Sequence, residues 1–281
     1  MRLCQNIEEV RFVLNTVRSQ GKSIALVPTM GYLHQGHLSL VNQAKLRFDV
    51  VVMSIFVNPT QFGPNEDYEA YPRDLQRDAA LAEEAGVSVI FAPAVKEMYP
   101  QFFSSYVNVT GVSEPLCGGA RPGHFQGVAT VVTKLINIIQ PNAVFFGQKD
   151  FQQVLVIKRM VEDLNINSEI IAVPIVREAD GLAMSSRNVY LSPEERQAGL
   201  VLFRSLKLAQ ELVANGEKDI RQLKQAVLNN ILEEPLANVD YVEILSLPNL
   251  TTIEHLTGKV LLALAVRFGK TRLIDNAVLE A

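Results

Sequence analysis

Cysteine is nearly absent. Cys4 and Cys117 are the only two in 281 residues, and neither sits in a CxxC or other metal-ligand spacing, which argues against a zinc site. Two isolated cysteines suit a reducing compartment better than a disulfide framework. An excess of either charge is also missing: 26 Lys and Arg face 30 Asp and Glu, a formal net charge of −4. That balance lacks the electrostatic footprint of a nucleic-acid-binding protein. The basic clusters are mixed with acids, as on a solvated helix face. No apolar run approaches the roughly 20 residues that span a bilayer. Residues 1–21 carry Glu8, Glu9, Arg11 and Arg18 through their middle, so they lack the apolar centre of a signal peptide. Internal repeats and low-complexity segments are missing too. The expectation is a cytoplasmic protein that engages neither nucleic acid nor membrane.

What is present is a large apolar fraction, 48% of the chain, enough for a substantial core. The length exceeds the usual domain of roughly 100–200 residues, so two domains are expected. The first half alternates strand and helix patterns. Apolar, β-branched runs at 23–27, 49–56, 87–92, 143–146 and 169–173 predict strands. Helical patterns occupy 6–21, 37–47, 74–86, 125–140 and 151–164. Strands that are apolar throughout are buried on both faces, and βα alternation predicts a parallel sheet with helices on both sides. Ligands in such sheets bind at the carboxyl ends of the strands. After Pro174 the character changes. Asp180-Gly181 is a turn signal, and Ser192-Pro193-Glu194-Glu195 is a capping box opening a helix that extends to about Asn215. A further helix at 220–233 and strands at 239–245 and 259–267 predict a smaller α+β domain.

Five segments carry the polar chemistry, most of them directly after a strand. The first is Pro28-Thr29-Met30-Gly31-Tyr32-Leu33-His34-Gln35-Gly36-His37. His34 and His37 fall at the mouth of a helix on one face, beside backbone N–H groups that favour anions. Gly31 and Gly36 allow close backbone approach. Together they suit polyphosphate, although two polar residues capping a surface turn would look similar. The second, Phe56-Val57-Asn58-Pro59-Thr60-Gln61-Phe62, offers neutral amides that suit hydroxyl and carboxylate groups, or is an ordinary Asn-Pro turn. The third, Arg121-Pro122-Gly123-His124-Phe125, reads equally as a flexible basic loop or a plain helix entry. In the fourth, Gly147-Gln148-Lys149-Asp150-Phe151-Gln152-Gln153, Lys149 offers a compact charge for phosphate. Asp150 suits ribose hydroxyls or a helix cap, with Gln153 one turn later. The fifth, Met184-Ser185-Ser186-Arg187-Asn188, is a phosphate clamp or a polar linker.

Taken together and in order, these segments resemble the pantoate–β-alanine ligase (pantothenate synthetase) family of the nucleotidyltransferase superfamily. Tyr71-Pro72-Arg73 and Arg272-Leu273-Ile274-Asp275-Asn276 extend the resemblance, which covers nearly the whole chain. Gln148 stands where many members have Glu, and residues 263–270 lack a tryptophan seen in some. The resemblance implies a Rossmann-like sheet flanked by helices over residues 1–176 and the smaller α+β domain over 177–281. It implies that pantoate attacks MgATP to give pantoyl adenylate and pyrophosphate, and that β-alanine then displaces AMP to give pantothenate, a coenzyme A precursor. Carried over by position, Met30, Gly31, Tyr32, Leu33, His34, Gln35, Gly36 and His37 bind ATP. So do Gly147, Gln148, Lys149, Asp150, Val176, Met184, Ser185, Ser186 and Arg187. His37 holds the family's proton-donor position, and His34, Lys149 and Arg187 complete the catalytic set. Gln61 meets pantoate and β-alanine, and Gln153 meets pantoate. Mg²⁺ is expected on the phosphates with no protein ligand assigned, Asp78 being the one carboxylate considered. The family also implies a homodimer. Closure over the adenylate is expected from residues 65–71 or from the small domain.

Two rival readings remain at this level. One is another nucleotidyltransferase with a different acceptor; the neutral Gln61 and Gln153 suit pantoate better than a phosphorylated substrate. The other is a non-catalytic nucleotide-binding regulator, against which stand the intact His34, His37, Lys149 and Arg187.

Overall fold

The computed structural model describes residues 1–64 and 66–280. It divides into two compact units, Met1–Pro174 and Ile175–Ala281. In the first, strands β1 (Arg2–Cys4), β2 (Ile24–Thr29), β3 (Val50–Ile55), β4 (Val89–Phe91), β5 (Ala143–Gly147) and β6 (Glu169–Val173) form one parallel sheet. The helices are α1 (Ile7–Ser19), α2 (Gln35–Lys45), α3 (Leu75–Ala85), α4 (Val95–Met98), α5 (Cys117–Ala120), α6 (His124–Ile139) and α7 (Phe151–Asp163). Short polar side chains start two of them. Asn6 caps α1 by accepting from Glu9 N–H at 2.8 Å, and Asp74 caps α3 by accepting from Arg77 N–H at 3.0 Å.

The strand order is β1-β4-β3-β2-β5-β6. Leaving aside the edge strand β1, this is a Rossmann-like order that reverses between β2 and β5, the place where open α/β sheets bind ligands. The register shows how the crevice opens. β2 and β5 pair only at Ala25↔Ala143 and Leu26↔Val144. Beyond that, β2 stays with β3 as far as Thr29↔Ile55, and β5 stays with β6 as far as Gly147↔Val173. The two halves of the sheet part at their carboxyl ends.

Alternate residues of each strand face opposite sides. Leu26, Val52, Val144 and Phe146 join one core with α1, α6 and α7. Ala25, Val27, Val51, Met53 and Phe145 join the other, under α2 and α3. Each fully buried large apolar side chain contributes about 1.5–3 kcal/mol relative to exposure, so the strand ends that carry the polar loops are anchored on both faces.

In the second unit, α8 (Pro193–Gly199), α9 (Val201–Ala214) and α10 (Ile220–Leu232) accompany an antiparallel sheet of β7 (Ala237–Ser246), β8 (Lys259–Phe268) and β9 (Thr271–Glu280) in that order. The Ser192 capping box is present, with Glu195 N–H donating to Ser192 and Glu195 accepting from Ser192 N–H. The single helix expected from 192 to about 215 is two helices meeting at Leu200. Apolar periodicity runs unbroken through that junction, so the pattern did not reveal it. Two strands were also missed. β1 is only three residues long, and the alternation of β9 is interrupted by Arg272, Asp275 and Asn276.

One close approach positions the site. An added Cβ on Gly127 of α6 would lie 2.3 Å from the Thr60 carbonyl oxygen and 2.6 Å from Gln61 N, inside the 3₁₀ turn Pro59–Gln61. We expect Gly127→Ala to lower the denaturant midpoint by an amount equivalent to about 1–3 kcal/mol, the usual cost of overpacking. Wild-type stability in that variant would show that helix and turn are not in contact.

Candidate active site

The turn after β2 is shaped from α3. Asp78, almost fully buried, accepts Tyr32 N–H through Oδ2 and Leu33 N–H through Oδ1, both at 2.7 Å. Arg77 donates to the Leu33 carbonyl at 3.0 Å and lies over the Tyr32 ring. Gly31 has φ +84°, and a Cβ there would lie 2.8 Å from Asp78 Oδ2. Only glycine combines that φ with that space. Burial pushes the Asp78 carboxyl above the usual range although both oxygens accept hydrogen bonds.

The turn delivers His34 as the N-cap of α2. Its Nδ1 accepts from Gly36 N–H at 3.1 Å, and His37 Nδ1 accepts from His34 N–H at 3.3 Å, a reciprocal capping box built from two imidazoles. The rings stack with centroids 4.1 Å apart. A ring nitrogen that accepts carries no proton, so both rings are neutral with the proton on Nε2. Burial holds His37 well below its ordinary pKa, with lesser contributions from His34 and Lys149. One expectation changes here. Gly36 N–H is taken by the His34 ring, and His37 N–H donates to the His34 carbonyl at 2.8 Å. The donor this turn offers a ligand is therefore His37 Nε2–H rather than those two backbone amides.

Gln61 is set by a polar cluster. Its Nε2 donates to Met30 Sδ at 3.3 Å, and its Oε1 accepts from Asn58 Nδ2 at 3.0 Å, so the second segment meets the first. The Gln61 carbonyl accepts from His124 Nδ1 at 2.9 Å, and Arg121 approaches His124 Nε2 at 3.0 Å. A carbonyl can only accept, so His124 is protonated at Nδ1 and its Nε2 is the acceptor. Arg121 also forms a two-pronged ion pair with Glu66, both contacts 2.6 Å. Of the two readings of this segment, a flexible basic loop or a plain helix entry, the loop reading loses its free charge: Arg121 is paired and His124 holds the Gln61 turn. Glu66, Tyr68 and Tyr71 are described, while Asn65, the first residue of the expected closing segment, lies outside the described residues.

After β5, Lys149 sits close enough to His37 for its charge to depress that ring's pKa, and Asp150 acts in the same way, with opposite sign, on His124. Asp150 makes no side-chain cap to α7, so the capping explanation of this residue falls away. Gln153 is half-buried one turn into α7. Among the described residues no group of three or more His, Cys, Asp or Glu could hold a metal, and both Asp78 oxygens are engaged by the loop.

In the second unit, Met184 N–H donates to the Val176 carbonyl at 3.0 Å, and Arg177 bridges Ala183. Val176 and Met184 therefore face each other on one ribbon closed by the Asp180-Gly181 turn. Arg177 makes a bidentate pair with buried Asp275 at 2.6 and 2.9 Å. Asn188 donates to Glu178 at 2.9 Å and to the Ala183 carbonyl at 3.1 Å. This frame fixes both ends of Met184–Arg187, where Ser185 accepts from Arg187 N–H and Ser186 is buried.

The family model for pantoate–β-alanine ligase matches residues 2–278. The chain belongs to the pantoate–β-alanine ligase family. It is 61% identical over 279 residues to the pantothenate synthetase of Pelotomaculum thermopropionicum, covering 99% of each chain. It is 58% identical over 280 residues to that of Acetivibrio thermocellus, covering all of both. Among solved structures, pantothenate synthetase from Thermus thermophilus matches with a TM-score of 0.94 at 46% identity over 99% of each chain. The Francisella tularensis ligase, solved with β-γ ATP and β-alanine, matches at 0.80 and 36% identity, over 99% of this chain and 97% of that one.

In this ligase the first four polar segments converge within one unit, and the fifth is presented by the other. Sequence reasoning missed what holds them: Asp78 as the clamp of the turn, Tyr99 and Asn58 behind Gln61, and the Arg121–Glu66 pair. Asn58, Glu66 and Arg121 lie in segments already singled out and Asp78 was considered only for Mg²⁺, while Tyr99 carried no signal.

His124 yields a pH prediction. Burial, and then Arg121, lower its pKa from 6.5 to about 4. A depressed histidine takes its proton in the unfolded chain first, so stability falls as pH drops from about 6.5 toward 4. We expect His124→Gln, which keeps one donor and one acceptor, to flatten that limb of a melting-temperature profile. An unchanged limb would show that another group carries it.

Proposed function

We propose that this ligase condenses pantoate with β-alanine through a pantoyl adenylate. A pantoate carboxylate oxygen attacks the α-phosphorus of MgATP, and pyrophosphate leaves. The β-alanine amine then attacks the acyl carbon, loses a proton, and AMP leaves with the C–O electron pair. ATP and Mg²⁺ enter together as substrate, and no protein ligand is assigned to the metal. The single observation that carries the reading is the pair of imidazoles with each Nδ1 engaged and the ring proton on Nε2, at the point where the sheet parts.

Adenylation needs the carboxylate held in line and the charge developing on the phosphates stabilised. His37 acts as a neutral hydrogen-bond donor to phosphate oxygen, since its depressed pKa leaves no imidazolium to give up a proton near neutrality. His34 supports it, and Lys149 and Arg187 supply positive charge. The family resemblance assigns ATP binding to Met30 to His37 and Gly147 to Asp150 in the first unit, and to Val176 and Met184 to Arg187 in the second. Gln61 contacts pantoate and β-alanine, and Gln153 contacts pantoate. Two isolated cysteines support a cytoplasmic setting, and no helix among the described residues is long and apolar enough to cross a membrane. The family resemblance supports a homodimer.

Pantoate-dependent ATP–pyrophosphate exchange, with Mg²⁺ and without β-alanine, tests the adenylate directly. We expect exchange that requires pantoate, and no exchange would send the chemistry to another acid. His37→Ala should slow it by roughly 10²–10³-fold, the cost of one preorganised donor. Its rate should show no inflection near pH 6.5, because His37 stays neutral there. A loss under about 5-fold, or a limb at pH 6.5 that His37→Ala removes, would take the neutral donor out of the mechanism.

A further inference from the structure

Asn58 is fully buried, with 1% of its surface exposed, and its amide has a forced orientation. The Gly127 carbonyl lies 3.1 Å from one end, and a carbonyl only accepts, so that end is Nδ2. The other end, Oδ1, then needs donors. Tyr99 OH supplies one at 2.7 Å and Thr60 Oγ1 another at 3.0 Å. The second Nδ2 proton goes to Gln61 Oε1 at 3.0 Å. Gln61 therefore turns its Nε2 donor toward Met30 Sδ. Thioether sulfur is a weak acceptor, so a ligand oxygen can replace it without loss.

We propose that Tyr99, through Asn58, is the positioning residue that fixes the donor end of Gln61 toward the pantoate site. This rests on the reading that Gln61 meets pantoate. Tyr99 belongs to none of the five polar segments. It follows α4, and its ring packs against Phe103 at 5.0 Å and Phe56 at 6.2 Å. Desolvation by burial raises the phenol's pKa, which keeps the hydroxyl a donor through the neutral range. Without that donor Oδ1 keeps only Thr60, which also lies 3.2 Å from Tyr99 OH, and both amides lose part of what holds them in register. With Gln61 turned over, a carbonyl oxygen would meet the pantoate hydroxyl and carboxylate oxygens, and the carboxylate would be repelled.

The test is a double-mutant cycle read in pantoate-dependent exchange. We expect Tyr99→Phe to raise the KM for pantoate roughly five- to tenfold, the worth of one hydrogen bond. The KM for ATP and the melting temperature should change little. In a Gln61→Ala background the same substitution should have no further effect on pantoate. Asn58→Asp, which forces Gln61 to donate inward, should raise that KM at least as far and serves if Tyr99→Phe folds poorly. Equal penalties in both backgrounds, or no pantoate effect in the Gln61 background of the native chain, would overturn the relay. If Gln61→Ala itself leaves the pantoate KM unchanged, the reading of Gln61 fails first and the relay falls with it.

Discussion

The contact on which the site depends is the Asp78 carboxylate received by the turn after β2. Its two oxygens take the consecutive N–H groups of Tyr32 and Leu33, and this fixes where the chain enters α2. A buried carboxylate carries a desolvation penalty, and here that penalty raises its pKa despite the hydrogen bonds. At neutral pH the charge is therefore held against its solvation, and it serves the geometry of the turn more than the stability of the fold. Gly31 makes room for it, and Arg77 closes the other side of the loop. Everything the two histidines do follows from that placement.

The same economy of means recurs around the crevice. β2 and β5 separate after two paired residues, and each strand, anchored on both faces by the two cores, ends in a polar turn. Backbone N–H and carbonyl groups then decide side-chain protonation and orientation. The His34 and Gly36 amides force Nδ1 of both rings to accept. The Gln61 carbonyl sets the His124 tautomer, and the Gly127 carbonyl sets the Asn58 amide. The functional groups are held mostly by fixed main-chain polarity rather than by exposed ion pairs, which contribute little in water. Two largely buried ion pairs add to this: Arg121–Glu66 joins two loops of the first unit, and Arg177–Asp275 ties the Val176–Met184 ribbon to β9.

Much of this was legible in the sequence. Apolar runs buried on both faces pointed to the parallel sheet, and the polar segments after those runs pointed to the candidate site residues, because strand ends are where such sheets bind ligands. The family resemblance then assigned roles that spacing alone left open at Asp150 and Gln61. What stayed hidden has physical causes. β9 buries Asp275 against Arg177, so its alternation looks broken. The junction at Leu200 leaves apolar periodicity intact. Asp78 and Tyr99 act from elements far along the chain, and no local pattern links a helical carboxylate to a turn 46 residues earlier.

The most direct test of the account is the protonation of the His34 and His37 rings, read by long-range nitrogen–proton correlation NMR at neutral pH on selectively labelled protein. Both rings should be neutral, with Nε2 protonated and Nδ1 bare, and His37 should remain so through pH 6.5. A proton on Nδ1 of either ring, or an imidazolium at His37 near neutrality, would contradict the capping box and the neutral-donor role built on it.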